Sequence, residues 1–331
     1  MLRHVTPRAP VRRAISLLAL AAGLAMLVWQ VRQTGVSEIV RGFASVGAWG
    51  AAAIMVLSWL RFGARSTGWT ALIAGETPPG RALAAVVAGD AAGNLTPLSM
   101  LVSEPAKAAL LGWAVPSVGT AQALAALAAE TFFFGVSVAI YSILGAAALL
   151  IAYDIDAPIR IAGLITLAAM TTVLIVAAWM VLKKPTVAGG VLARVPVPFV
   201  RAFAERVRSF ERTAYATTTR PGARVGVVIA AASFFHVLSF AEMWLTLWLL
   251  TGDSLLAAAF VLDAVGRLVN AVFKMIPLQL GILQVGSELV ARAIGLAPGT
   301  GVLVSLIRTA RMLVWTGIGL VILGRHGLRS S

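Results

Sequence analysis

Apolar residues along this chain occur in long runs that are separated by short polar stretches. A helix needs about 20 mostly apolar residues to cross the hydrocarbon core of a bilayer. By that measure the pattern predicts about eight membrane segments, at residues 15–31, 43–60, 81–115, 120–151, 159–182, 224–250, 254–295 and 300–323. The predicted fold class is an all-α polytopic membrane protein with a single integral membrane domain over residues 1–331.

Two of these segments, 81–115 and 254–295, are longer than one crossing requires and carry charges and helix breakers near their middle. Each contains an Asp, a Gly, a Pro and a Glu in that order, and a base follows the Glu about one helical turn later. The six residues from Asp90 read DAAGNL and the six from Asp263 read DAVGRL, so four of six positions match. Interrupted segments at corresponding places in two halves point to the central site of a transporter. The pattern therefore predicts an internal duplication.

The polar stretch 183–222 separates the two halves, 1–182 and 223–331. Apolar residues recur within it at helical spacing, which predicts an amphipathic helix on the cytoplasmic leaflet. Bases cluster there, in the leader and at the tail, so these parts and both termini are placed in the cytoplasm. Counting crossings, segment 81–115 enters and leaves on the cytoplasmic side and segment 254–295 on the outer side. Re-entrant or paired helices in opposite directions form an inverted repeat.

Two local expectations complete the predicted topology. Arg61, Arg65 and Arg81 are expected in a cytoplasmic loop between the second segment and the first interrupted one. The basic leader and the first apolar run are interpreted as a retained helix, because no small-residue cleavage pattern follows the run.

The amino-acid composition agrees with a polytopic membrane protein and argues against a soluble domain, a nucleic-acid-binding protein and a metal-binding protein. The chain is 60% hydrophobic and 12% charged, whereas a soluble domain has about 45–50% apolar and about 25% charged residues. The net charge of +14 comes mainly from the parts placed in the cytoplasm and favours anionic lipid headgroups over nucleic acid. The chain has no cysteine and its three histidines are far apart, so no disulfide, metal site or cofactor is predicted.

Ion pairs between neighbouring helical turns are predicted from spacings of three or four residues. They join Glu104 to Lys107, Asp263 to Arg267, and Glu288 to Arg292. A charge at the bilayer centre costs roughly 2.5–3.5 kcal/mol, which leaves two interpretations open. Either the pairs fix helix packing, or they line a polar cavity that holds a charged headgroup.

An excess of bases in the C-terminal third favours the second interpretation, because unneutralised bases inside a membrane need an anion. Guanidinium groups bind phosphate through two hydrogen bonds, so a lipid phosphate is the predicted ligand. The bases are Arg267, Lys274, Arg292, Arg308 and Arg311, against Asp263 and Glu288. The predicted substrate-binding residues are Asp90, Asn94, Glu104, Lys107, Asp263, Arg267, Lys274, Glu288, Arg292, Arg308 and Arg311.

Two further carboxyl groups, those of Glu130 and Glu242, lie alone in apolar runs. Each is either a protonated carboxyl bonded to a neighbouring helix or a proton- or cation-coupling site. The breakers that surround Asn94 are predicted to unwind the backbone, and Pro105 is predicted to lie in the first turn of a new helix. The N–H groups at such a helix start would offer donors to an anion.

Short motifs in both interrupted segments resemble those of a known family. The stretch GNLTPLSMLVSEPAKAALL, from Gly93 to Leu111, resembles the GNLTPGRAGE signature of a flippase-like transmembrane family. That family includes the membrane half of lysylphosphatidylglycerol synthases. The stretch 276–313 resembles its second signature, a Pro, a Gly-Gly and a Glu that precede a helix with arginines. The stretch DAAGNLTPLS, from Asp90 to Ser99, also resembles the hopanoid-biosynthesis-associated branch.

The resemblance implies site residues by position. They are Asn94, Pro97, Glu104 and Lys107 in the first signature, and Pro277, Gly281, Gly286, Glu288, Arg308 and Arg311 in the second. The chain departs from the pattern at 98–102, where the family has glycines, and at Leu280, which stands in place of the first Gly of the pair. We expect the soluble aminoacyl-transferase domain of the synthases to be absent. The resemblance thus implies the lipid-translocating part alone, in a bacterial inner membrane.

The predicted function is transport or binding of a phospholipid or another polar-headed lipid, without catalysis. The predicted partners are membrane lipids, and lipid-biosynthesis enzymes are further candidates. Two alternatives stay open at this point, an intramembrane lipid-modifying transferase and a scaffold for lipid-biosynthesis enzymes. A scaffold would tolerate neutralisation of the intramembrane charges as long as the fold survives.

Overall fold

The computed structural model describes residues 29, 32, 35–73, 75–96, 99–184, 215–216, 222–272 and 281–327. Within these ranges the chain forms nine helices and no strands, which confirms the predicted all-α class. The helices are α1 Val36–Ala71, α2 Pro79–Asn94, α3 Ser99–Ala114, α4 Thr120–Ala152, α5 Ala157–Lys183, α6 Gly222–Thr251, α7 Leu256–Val272, α8 Ile282–Ala293 and α9 Thr300–Gly327. Almost all of the predicted segment 15–31 and of the amphipathic helix in 183–222 lies outside the described residues, as do Lys274, Pro97 and Pro277.

Five of these helices, α1, α4, α5, α6 and α9, are long and apolar enough to cross a membrane. The two interrupted segments each form a pair of shorter helices, α2 with α3 and α7 with α8. At a rise of about 1.5 Å per residue, helices of 12 to 17 residues are about 18–26 Å long, less than the roughly 30 Å hydrocarbon core. Breaks in the apolar pattern therefore mark the points where the chain leaves one short helix for the next.

Helix α1 extends well beyond its predicted end, and this corrects the placement of two arginines. Arg61 and Arg65 were expected in a cytoplasmic loop, but both lie inside α1 and are largely buried. The helix continues past these charges because carboxylates on other helices accept them. Near its start α1 is kinked at Gly47, whose φ of 59° is left-handed backbone that favours glycine.

In chain order, α1, α2, α3 and α4 correspond to α6, α7, α8 and α9. The helices that each one contacts correspond in the same way. Helix α2 packs against α1, α3 and α9, and α7 packs against α6, α8 and α4. Helix α4 contacts α3, α1 and α6, and α9 contacts α8, α6 and α1. The central contact joins α1 to α6, so it pairs a helix with its own counterpart. Only α5, which packs beside α4, stands outside this correspondence among the described helices.

Helix α4 approaches α7 closely at a glycine, and the corresponding helices α9 and α2 also approach closely at a glycine. A Cβ added at Gly145 in α4 would overlap that of Ala264 in α7. A Cβ added at Gly319 in α9 would overlap that of Ala91 in α2. Each alanine directly follows the Asp that is matched between the two interrupted segments. The sequence match and the packing match thus coincide at the same residues.

These glycines give a test of the packing. Gly145→Ala and Gly319→Ala should each lower the free energy of unfolding by about 1–3 kcal/mol, because an added methyl has no room. Gly317→Ala on the same helix as Gly319 is the control, since nothing lies within 4 Å of its added Cβ. Thermal unfolding of the purified protein in detergent measures all three. Equal midpoints for the three variants would contradict the described helix contacts.

Candidate functional site

A polar cavity lies between the two pairs of short helices. It consists of two adjoining chambers of about 440 Å³ and 240 Å³, a size in the range of small-molecule sites. Side chains from α1, α2, α3, α4, α6, α7 and α9 line the larger chamber, and α8 contributes to the smaller one. Residues that border both chambers include Ser58, Arg61, Phe62, Asp90, Gly266, Asn270, Arg308 and Arg311.

Glu242 joins three helices next to this cavity. It lies on α6, is fully buried, and accepts a hydrogen bond from Arg61 on α1 at 2.7 Å and another from Arg311 on α9. Burying one carboxylate is costly unless it is paired. Two guanidinium groups share it, so this part of the wall has one more base than acid. Glu242 is therefore not the lone carboxyl that the sequence suggested.

Asp263 on α7 is the second shared carboxylate and is also fully buried. Arg308 on α9 donates to it at 2.9 Å and Arg267 on α7 at 3.3 Å. The hydroxyl groups of Tyr141 and Ser239 also donate to it, at 3.0 Å and 2.9 Å. The predicted pair of Asp263 with Arg267 is confirmed, and Arg308 again adds a base in excess of the acid.

Lys107 on α3 shows the opposite arrangement, with two acids on one base. Its ammonium lies 2.7 Å from Asp90 on α2 and 3.1 Å from Glu104, the partner predicted by spacing. Ser103 also donates to Asp90, at 3.0 Å. A Cβ on Gly89 would overlap the Lys107 side chain, so the missing side chain there lets the lysine cross to Asp90. This part of the wall has one more acid than base.

Glu130 on α4 is paired as well. Arg65 on α1 donates to it at 2.8 Å, and the guanidinium of Arg65 lies 3.9 Å from the ring centre of Phe134. Such a cation–π contact is favourable in a desolvated setting. Glu130 was considered alone in its apolar run, and the structure corrects this because its partner lies 65 residues away in the chain.

The cavity is therefore mixed in charge, not strongly basic as the count over the C-terminal third suggested. Acids on α2, α3, α4, α6 and α7 neutralise bases that a local count leaves alone. Among the described residues of this cluster, the bases are Arg61, Arg65, Lys107, Arg267, Arg308 and Arg311. The acids are Asp90, Glu104, Glu130, Glu242 and Asp263.

Two predicted site residues lie elsewhere. Glu288 and Arg292 form the predicted pair on α8, at 2.6 Å, but neither borders the cavity. Glu288 also accepts hydrogen bonds from the backbone N–H groups of Gly299 and Val302. It thereby caps the start of α9, where free N–H groups favour a negative charge. Its position indicates a structural role.

The remaining predictions at the helix breaks have mixed outcomes. Asn94 ends α2, borders the smaller chamber and donates to Thr316 on α9 at 3.0 Å. Pro105 lies inside α3, not in its first turn, because α3 already begins at Ser99. Packing along α2 and α4 keeps this helix intact across the hydrogen bond that proline lacks. Gly281 precedes α8 with a φ of 82°, and Gly286 lies within that helix.

Sequence reasoning missed Arg61 and Arg65 as site residues. A signal for them was present, because Glu130 and Glu242 have no base within one helical turn and each needs a partner elsewhere. Arg61 and Arg65 are four residues apart and share a helical face. Trp315 also borders the smaller chamber and contacts Phe62 edge to face at 5.0 Å.

The pairing of Glu242 predicts a large effect on stability. Glu242→Gln should lower the free energy of unfolding by about 3–5 kcal/mol, because it leaves two buried arginines without their counter-charge. Glu38→Gln is the matched control, since the Glu38–Arg41 pair is exposed and exposed pairs contribute roughly 0–1 kcal/mol. Chemical unfolding in detergent compares them. Similar losses for both variants would refute the buried network.

One comparison with known proteins gives a match. The family described as the lysylphosphatidylglycerol synthase TM region matches residues 16–319. No curated protein and no solved structure matches the chain. The matched range contains α1–α8, most of α9 and every residue of the cavity described above. The chain therefore belongs to the lysylphosphatidylglycerol synthase transmembrane-region family and is a multi-pass membrane protein linked to lipid metabolism or transport.

Proposed function

We propose that this protein is a lipid transporter that binds the polar headgroup of a phospholipid in the cavity and moves it across the bacterial inner membrane. The observation that supports this most is the sharing of Glu242 and Asp263 by two arginines each, beside the cavity. The lipid tails would stay in the bilayer while the headgroup occupies the polar space. We propose that both termini lie in the cytoplasm, which the distribution of bases favours.

Shared carboxylates leave guanidinium donors for a ligand. Arg308 can turn toward a phosphate while Arg267 still neutralises Asp263. Arg61 and Arg311 are related to Glu242 in the same way. Guanidinium binds phosphate with two parallel hydrogen bonds and stays charged at any physiological pH. An anionic headgroup would therefore find donors without exposing a buried carboxylate.

The matching neighbours of α1–α4 and α6–α9 support a transport mechanism. Transporters built from inverted repeats bind substrate between the repeats and change access when one repeat rocks against the other. The cavity lies between the α2–α3 and α7–α8 pairs, as that scheme requires. We propose that these pairs are the re-entrant hairpins of such a repeat. No chemical reaction is part of this proposal.

Arginine replacement tests the proposal. In vesicles that contain the purified protein, a phospholipid labelled on one acyl chain should reach the inner leaflet faster than in protein-free vesicles. Arg308→Gln should slow this movement about tenfold or more, because it removes a charge-assisted hydrogen bond to phosphate. Asp263 keeps Arg267, Tyr141 and Ser239, so the fold should persist.

The matched control is Arg41→Gln, which removes an exposed arginine far from the cavity and should leave the rate unchanged. Quenching of the outer-leaflet label by an impermeant reductant follows the movement in each sample. Wild-type rates in a folded Arg308→Gln protein would contradict the transport site. That result would favour the scaffold alternative, which tolerates loss of intramembrane charge.

A further inference from the structure

We infer that the headgroup taken by this cavity carries one phosphate and one ammonium group, with the phosphate at one wall and the ammonium at another. The inference rests on the proposed function and narrows its substrate class. It comes from the way charges are distributed between two walls. The cationic wall is formed by Arg61, Arg267, Arg308 and Arg311 with Glu242 and Asp263, and the anionic wall by Asp90 and Glu104 with Lys107.

The two walls differ in the sign of their surplus charge. Four bases share two acids on the cationic wall, so it has a surplus of two positive charges among the described residues. Two acids share one base on the anionic wall, so its described residues have a surplus of one negative charge. The pair of Arg65 with Glu130 is balanced. The cluster as a whole has a surplus of one positive charge, which a phosphate alone would neutralise, so the separation of charge carries the inference.

The walls also present opposite groups to the cavity. On the cationic wall the side chains of Arg61, Arg308 and Arg311 are 13%, 20% and 15% exposed, whereas the acids behind them are 0–2% exposed. On the anionic wall the order is reversed. Asp90 and Glu104 are 38% and 16% exposed, and Lys107 is only 5% exposed. A ligand thus meets guanidinium groups at one wall and carboxylates at the other.

Each wall contains buried polar atoms without a hydrogen-bond partner, and the two walls differ in whether these atoms accept or donate. Within the described part of the chain, Oε2 of Glu104 is buried and has no hydrogen-bond partner. The Nε atoms of Arg61 and Arg311 are also buried without a partner. All three residues border the larger chamber. Buried polar atoms are normally paired, and here an acceptor on one wall requires a donor while donors on the other wall require an acceptor.

An ammonium group fits the anionic wall better than a neutral hydroxyl group does. A hydrogen bond between two charged groups is roughly twice as strong as a neutral one, and the carboxylate left over from Lys107 supplies the negative charge. A surplus of one acid matches one ammonium, not two. The same molecule would place its phosphate between Arg308 and Arg311. Phosphatidylethanolamine has this composition, whereas phosphatidylglycerol lacks the ammonium and lysylphosphatidylglycerol carries two.

Lipid selectivity tests the inference in vesicles that contain the full-length protein. Each of these three lipids, labelled on one acyl chain, is followed separately in otherwise identical vesicles. Phosphatidylethanolamine should move about tenfold faster than phosphatidylglycerol, the difference expected for one charge-assisted hydrogen bond. Glu104→Gln should bring the ratio of these two rates close to one, and Glu104→Asp, which keeps the charge, should largely preserve it.

Controls separate loss of selectivity from loss of fold. Lys107 keeps Asp90 in the Glu104→Gln protein, so its thermal midpoint should remain close to the wild-type value. Glu38→Gln removes an exposed acid away from the cavity and should leave the ratio unchanged. Equal rates for the two lipids in the wild type, with no effect of Glu104→Gln, would overturn the inference and leave the transport function standing.

Two other outcomes are informative. Faster movement of lysylphosphatidylglycerol than of phosphatidylethanolamine would overturn the assignment of a single ammonium group. If no lipid moves faster than in protein-free vesicles, the proposed function itself fails, and the inference fails with it. The same set of rate measurements therefore distinguishes failure of the inference from failure of the proposed function.

Discussion

Burying charge in the low-dielectric interior of a membrane protein is the constraint on which this structure depends. A buried carboxylate or guanidinium group is tolerated only if it is paired and hydrogen-bonded. Here the partners come from different helices, as with Arg61 of α1, Glu242 of α6 and Arg311 of α9. The same contacts that tie the helices together surround a polar cavity, so the packing of the fold and the chemistry of the site have a common physical origin.

Corresponding helices in the two sets of four also carry buried charges, but the charges have opposite signs. Arg65 on α1 pairs with Glu130 on α4. In the counterpart helices, α6 carries the acid Glu242 and α9 carries the base Arg311. A cavity between two similar halves would present similar walls if the charges also matched. The carboxylates of Asp90 and Glu104 on α2 and α3 supply a second wall, opposite in sign to the arginines of α1, α7 and α9, and a dipolar headgroup can bridge the two.

The positions of most membrane helices can be predicted from the sequence, because the free energy of transferring a segment to lipid depends on its own composition. The predicted bounds of α4 and α5 agree with the observed ones within two residues. Local ion pairs such as Glu104 with Lys107 are also predictable, since helix geometry alone brings them together. The pair of Arg61 with Glu242 is not, because 181 residues separate its members. Counting charges along the chain for this reason suggested a basic cavity where the fold forms a mixed one.

A high-resolution structure of the protein in a bilayer of mixed phospholipids tests the central claim most directly. The account predicts density for a phosphate within hydrogen-bond distance of Arg308 and Arg311, inside the cavity between the α2–α3 and α7–α8 pairs. Glu242 and Asp263 should remain paired in that structure, because each has a second arginine. Phospholipid phosphates found only at the membrane surface, with these arginines bound solely to carboxylates, would contradict it.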